Sequence, residues 1–106
     1  MRLYHNPRCS KSRQALALLN EREVEFEEYR YLDDGIAEED MNLLISLKGV
    51  IRSKEVDKSA ELDLSKPSDI RKLLETNPKA LERPILSKDG RAVIGRPPEN
   101  VLDLLR

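Results

Sequence analysis

Apolar and polar positions along the chain change period several times, and each change marks an element. Met1 to Tyr4 reads as a short strand, after which Asn6-Pro7 breaks the pattern. From Ser10 onward Ala15, Leu16 and Leu19 recur at helical spacing, which predicts a helix with those residues inward and places Cys9 where a loop enters it. Glu23 to Tyr31 alternates Val24 and Phe26 with Glu23, Glu25 and Glu27, a period of two that predicts a second strand with one buried face. Met41, Leu44, Ile45 and Lys48 return to helical spacing. Pro67 at a first-turn position, followed by Ile70, Leu73 and Leu74, predicts a further helix that Asn77-Pro78 ends. Pro84 to Ser87 and Arg91 to Ile94 are short apolar runs around Lys88-Asp89-Gly90, a hairpin signal, and Pro97-Pro98 with Val101, Leu102 and Leu105 predicts a closing helix.

Strand, helix, strand, several helices, hairpin and helix is the order of a parallel βαβ unit extended by an antiparallel pair. The fold expected is α/β, thioredoxin-like. Residues 1–106 should form a single domain, with 33–75 as a mainly helical insertion.

Composition narrows the function. Charged residues make up 37% and hydrophobic residues 39%, and 19 basic against 20 acidic side chains leave a net charge of −1. The longest apolar run, Ala15 to Leu19, is far short of the roughly 18 residues a membrane span needs. No membrane association is expected. The amino terminus has no secretory-type apolar stretch, so the expected location is cytoplasmic. With no Trp, one Phe and three Tyr, the chain has little to stack on bases and no overall basic surface, which argues against nucleic-acid binding. The near-neutral total hides an asymmetry: residues 1 to 20 carry Arg2, Arg8, Lys11 and Arg13 and no acid. The segment holding Cys9, the single cysteine, is locally cationic.

A cysteine is a nucleophile as thiolate, and helix-entry amides, the helix dipole and nearby cations lower its pKa. Cys9 has candidates for all three, with Arg8, Lys11 and Arg13 flanking it and His5 placed where a cationic imidazole could face the sulfur. The competing reading is a buried cysteine acting as a small hydrophobe. Ser12, three residues on, stands where a dithiol oxidoreductase carries its second cysteine. Its hydroxyl can donate to a thiolate, or it can serve ordinary first-turn helix chemistry. A phosphatase-type cysteine would want an arginine at position 15, which is Ala. Cys9 with His5 offers two ligands, too few for a zinc site, so no metal is expected. Arg52, Arg83 and Arg96 are candidate anion clamps; Arg83 and Arg96 each precede a proline and sit at element boundaries. Taken alone, each is an ordinary solvated charge, and His5 an ordinary strand-end residue.

These residues carry a family resemblance. Tyr4-His5-Asn6-Pro7-Arg8-Cys9-Ser10-Lys11-Ser12-Arg13, Asn77-Pro78-Lys79, Glu82-Arg83-Pro84-Ile85 and Ile94-Gly95-Arg96-Pro97-Pro98-Glu99 resemble the arsenate reductase family of the glutaredoxin-coupled type, whose fold is thioredoxin-like. The resemblance implies Cys9 as nucleophile, His5 and Ser12 as residues that favour its thiolate, and Arg52, Arg83 and Arg96 as oxyanion-binding arginines. It implies binding of arsenate or a similar oxyanion, and reduction of arsenate to arsenite through a Cys9 thiol-arsenic adduct and a mixed disulfide. Glutathione would be co-substrate, glutaredoxin the partner, and no cofactor would be bound. It also implies a cis peptide at Arg83-Pro84. Well-attested members carry Cys-Gly-Thr-Ser where this chain has Cys9-Ser10-Lys11-Ser12, so the anion loop differs from theirs at two positions. Two other functions fit the same residues: a general glutathione-dependent thiol oxidoreductase, and a redox-sensing regulator that binds RNA polymerase. The second usually has Cys-x-x-Cys, which Ser12 breaks.

Overall fold

A computed structural model describes residues 1–56 and 63–105. Its sheet has four strands, β1 (Arg2–Tyr4), β2 (Glu27–Tyr29), β3 (Ile85–Lys88) and β4 (Arg91–Ile94), in the order β2-β1-β3-β4. β1 runs parallel to β2 and antiparallel to β3, and β3 pairs antiparallel with β4. Among the described residues four α-helices accompany the sheet: α1 (Ser10–Glu21), α2 (Tyr31–Asp34), α3 (Glu38–Ile45) and α4 (Pro67–Thr76). Short 3-10 turns span Ser53–Glu55 and Pro78–Ala80, and a longer 3-10 helix, Pro98–Leu105, closes the chain. A βαβ unit continued by an antiparallel hairpin is the thioredoxin-like arrangement the element order predicts.

Alternation along the central strands sorts the core to the two faces of the sheet. Leu3 and Leu86 join Ala15, Leu19, Val101 and Leu104 on the side of α1 and the closing helix. Tyr4 and Ile85 point the other way, onto Tyr31, Met41, Leu44, Val50, Leu74 and Leu81. Burying a leucine or isoleucine in either layer contributes about 1.5–3 kcal/mol, so β1 and β3, buried on both faces, hold the two layers together. Tyr4 OH donates to Asp40 Oδ2 at 2.6 Å, and Arg2 Nη1 reaches the same oxygen at 2.7 Å, which fastens α3 to the strand.

The second strand is shorter than the alternation predicts. Arg2 pairs with Glu27, whose N–H donates to Met1 O at 2.9 Å, and Glu23 takes a left-handed φ of 55° in the turn leaving α1. Val24 and Phe26 are half-buried against the α1 layer without ladder partners, so their period of two records packing and not pairing. Tyr31 begins α2 instead of ending a strand. α3 stops at Ile45, and Lys48 lies beyond it in the turn before Gly49. Of the segment 33–75, α3 lies within it and α4 runs one residue past its end, to Thr76; residues 57–62 lie outside the described part. No helix among the described residues is long and apolar enough to cross a membrane. The hairpin turns at Asp89 and Gly90, with φ of 50° and 76°, the left-handed pair that a two-residue turn between twisted strands requires.

Two X-Pro bonds are cis, the expected Arg83-Pro84 and also Arg96-Pro97. Gly95 lies between them in space, its N–H donating to Pro84 O at 2.8 Å. A Cβ at Gly95 would stand 2.8 Å from Pro84 Cγ and 2.9 Å from Val101 Cγ1, inside normal contact. Gly95→Ala is therefore expected to destabilise by about 1–3 kcal/mol, the usual effect of overpacking, which urea unfolding would register as a lower midpoint at unchanged slope.

Candidate active site

Cys9 is delivered by a turn written in the four residues before α1. Asn6 O accepts the Cys9 N–H at 3.0 Å, and Asn6 Oδ1 accepts the Arg8 N–H at 3.0 Å. Asn at the first position of a turn and Pro at the second favour this geometry. Cys9 then occupies the N-cap of α1 with extended backbone (φ −92°, ψ 122°), and its side chain makes no cap hydrogen bond. The sulfur thus stands at the open end of the helix, half-buried, where the first-turn amides point.

The Cys9 thiol is held below its ordinary pKa. Burial pushes it up, but the backbone amides of Ser12 and Lys11, the Arg83 guanidinium and the charge of Arg96 together outweigh burial. Arg96 Nη2 lies 3.8 Å from Sγ. The leading cations are those distant in sequence, not the neighbours that the cationic flank points to. Arg8 and Lys11 line the cavity above the sulfur, whereas Arg13 turns away to donate to Pro7 O at 2.8 Å.

His5 and Ser12 form a buried pair beneath the loop. Ser12 Oγ accepts the Asn6 N–H at 3.0 Å and lies 2.7 Å from His5 Nδ1. Burial lowers the His5 pKa below its ordinary value, Glu28 opposing and Arg30 and Arg13 assisting, so the ring is uncharged near neutral pH. Where a cationic imidazole facing the sulfur is expected, burial disfavours the charged ring, and its Nδ1 is engaged by Ser12 at the cavity that holds Cys9. Ser12 in turn favours the thiolate through its backbone amide, its hydroxyl being engaged by Asn6 and His5.

Arg52, Arg83 and Arg96 all reach one cavity of about 940 Å³, together with His5, Cys9, Lys11 and Lys79. Three elements supply them. Arg52 follows an isolated antiparallel bridge between Ile51 and Leu81, Arg83 precedes β3, and Arg96 follows β4. Arg83 Nη1 donates to Lys79 O at 3.3 Å, and Arg96 Nε to Arg83 O at 3.0 Å. Arg52 Nε, Arg83 Nε and Tyr31 OH are buried without hydrogen-bond partners among the described residues. Burial pushes the Tyr31 phenol up to about 12, so it stays a neutral donor. Sequence reasoning passed over Tyr31, and over Glu82, whose carboxylate lies 3.0 Å from Arg96 Nε; neither residue type marks a site by itself. Among the described residues no group of three or more His, Cys, Asp and Glu is placed to hold a metal.

The arrangement offers a thiolate, a helix entry and convergent guanidinium groups, which suits a thiol reaction on an anion. A family model described as the ArsC family matches residues 4–104. The chain belongs to the ArsC family. It is 38% identical to an arsenate reductase of Neisseria meningitidis serogroup B, over 95% of this chain and 94% of that one. It is 37% identical to YfgD, an uncharacterised protein of Escherichia coli, over 99% of this chain and 96% of that one. Among solved structures, an arsenate reductase from Vibrio cholerae superposes with a TM-score of 0.79 at 32% identity, covering 97% of each chain. The match to the ArsC family includes the cysteine loop and both Arg-Pro corners.

Alkylation of Cys9 by iodoacetamide is expected to stay fast at pH values where free cysteine reacts slowly, and Arg96→Ala should move the profile upward. A rate profile across pH checks both. His5 is the only histidine, and a lowered folded pKa means the unfolded chain takes up its proton first. Stability should therefore fall as pH drops below the ordinary histidine value of about 6.5, a slope that His5→Gln should remove from urea unfolding curves measured above the carboxylate range.

Proposed function

We propose that this ArsC-family protein reduces arsenate to arsenite with electrons from thiols. The observation that carries the reading is the convergence of Arg52, Arg83 and Arg96 on the cavity at Cys9, with Arg96 Nη2 at 3.8 Å from the sulfur. The Cys9 thiolate attacks arsenic and water leaves, forming a sulfur-arsenic bond with arsenic still pentavalent. Glutathione adds as the second thiol. As a disulfide forms between glutathione and Cys9, two electrons pass to arsenic and arsenite departs. A glutaredoxin thiol then removes the glutathione and returns Cys9 to its thiol, a route that a chain with one cysteine requires because it has no internal resolving thiol. Guanidinium groups hold the oxyanion and the charge that develops on it. The cavity is far larger than a tetrahedral oxyanion, leaving room above Cys9 for a tripeptide thiol. Both electrons come from thiols, so the cycle needs no resident cofactor. A cytoplasmic site of action fits, since glutathione keeps thiols reduced there.

A general glutathione-dependent oxidoreductase is the second reading, favoured by Ser10-Lys11 in place of the Gly-Thr of well-attested members. A steady-state arsenate reduction assay with glutathione and glutaredoxin separates the two. Turnover is expected in the parent, and Arg83→Ala or Arg96→Ala should lower it by on the order of a hundredfold, the usual loss for one donor on a developing oxyanion. Oxidised glutathione should add a single glutathione to parent and variants alike, read by intact mass. Adduct formation without arsenate turnover would establish the general oxidoreductase instead.

A further inference from the structure

Three arginines lining one cavity repel one another, and here a single carboxylate oxygen lies among them. Glu82 Oε1 is 3.0 Å from Arg96 Nε and 3.5 Å from Arg52 Nη1, and it accepts the backbone N–H of Arg83 at 3.2 Å. The backbone explains the meeting. On either side of the Ile51–Leu81 bridge, Arg52 N–H donates to Ala80 O and Glu82 N–H to Val50 O, both at 2.7 Å. Arg52 and Glu82 each stand one residue beyond the bridge, so their side chains leave the same face of the ribbon. Glu82 has 19% side-chain exposure, and Arg52 and Arg96 26% and 29%, so solvent screens this cluster less than a surface ion pair.

Arg96 is a planar fork, and fixing one nitrogen aims the others. Its Nε–H donates to Arg83 O at 3.0 Å, and Glu82 Oε1 is ion-paired with the same Nε at 3.0 Å, which leaves Nη2 directed at the Cys9 sulfur. We propose that Glu82 is a positioning residue: its carboxylate oxygen holds Arg96 by Nε, with Arg52 alongside, so that Arg96 presents Nη2 to Cys9. The proposal rests on Cys9 as the reacting thiol and not on which oxyanion it attacks. Glu82 acts on the sulfur in two opposed ways. Its charge disfavours the thiolate, while its acceptor keeps Arg96 where it favours the thiolate.

Substitution separates the two effects. Glu82→Gln keeps an acceptor oxygen and removes the charge; Glu82→Met keeps the length and removes both. The measurement is the rate of Cys9 alkylation by iodoacetamide in the full chain across pH, for the parent, both variants, and both again with Arg96→Ala. Below the thiol's midpoint, Glu82→Met should react about three- to tenfold more slowly than Glu82→Gln, and with Arg96→Ala the two should coincide. Coincidence in the Arg96 background of the parent, or a difference that persists without Arg96, overturns the proposal. Arg96→Lys keeps the charge and loses the Nε anchor, so it should slow alkylation as Glu82→Met does; should Glu82→Met not fold, an Arg96→Lys rate equal to the parent's overturns the proposal by itself. A parent profile matching free cysteine removes the thiolate reading and this one together, whereas a lowered parent profile with coincident Glu82 variants removes this one alone.

Discussion

A half-buried sulfur can carry charge when hydrogen-bond donors and cations replace the water it has lost, and that requirement organises this molecule. At Cys9 the replacements come from two sources. The first-turn amides of α1 are local, and they are aimed by the Asn6-Pro7 turn and by the N-cap geometry. The arginines are remote: Arg83 and Arg96 arrive because β3 begins and β4 ends at the rim where β1 ends, and Arg52 follows the bridge from Ile51 to Leu81. Together they outweigh desolvation, and the thiol falls below its ordinary pKa.

The local half of this arrangement was legible in the sequence. A helix after Asn6-Pro7, a hairpin around Asp89-Gly90 and the outlines of α1, α3 and α4 follow from short-range rules that tertiary contacts did not override. The limits were also physical. The alternation at 23–27 reads as a strand, yet whether it pairs depends on the length of β1, which is set elsewhere in the chain. The cations at Arg8, Lys11 and Arg13 are near Cys9 in sequence, but side chains leaving a helix entry point several ways, and Arg13 braces the loop instead. Burial of His5 is a tertiary property, and it reverses the charge state that position alone suggests.

Glu82 marks the sharpest boundary of sequence reasoning. A glutamate beside an arginine is an ordinary pattern, and nothing local distinguishes it. Its meeting with Arg52 depends on one isolated bridge across thirty positions, and its meeting with Arg96 on β4 ending beside the start of β3. Arginines identified singly by their place before a proline become one cluster only when the fold closes around a common acceptor.

The open sheet edge at β2 has a consequence for how copies of this chain meet. The strand is three residues long and carries Glu27 and Glu28, both outside the core. A second strand docking there would gain at most a short ladder while drawing two carboxylates and their arginine partners, Arg2 and Arg30, out of water. Brevity and charge together make the edge a poor template for edge-to-edge association.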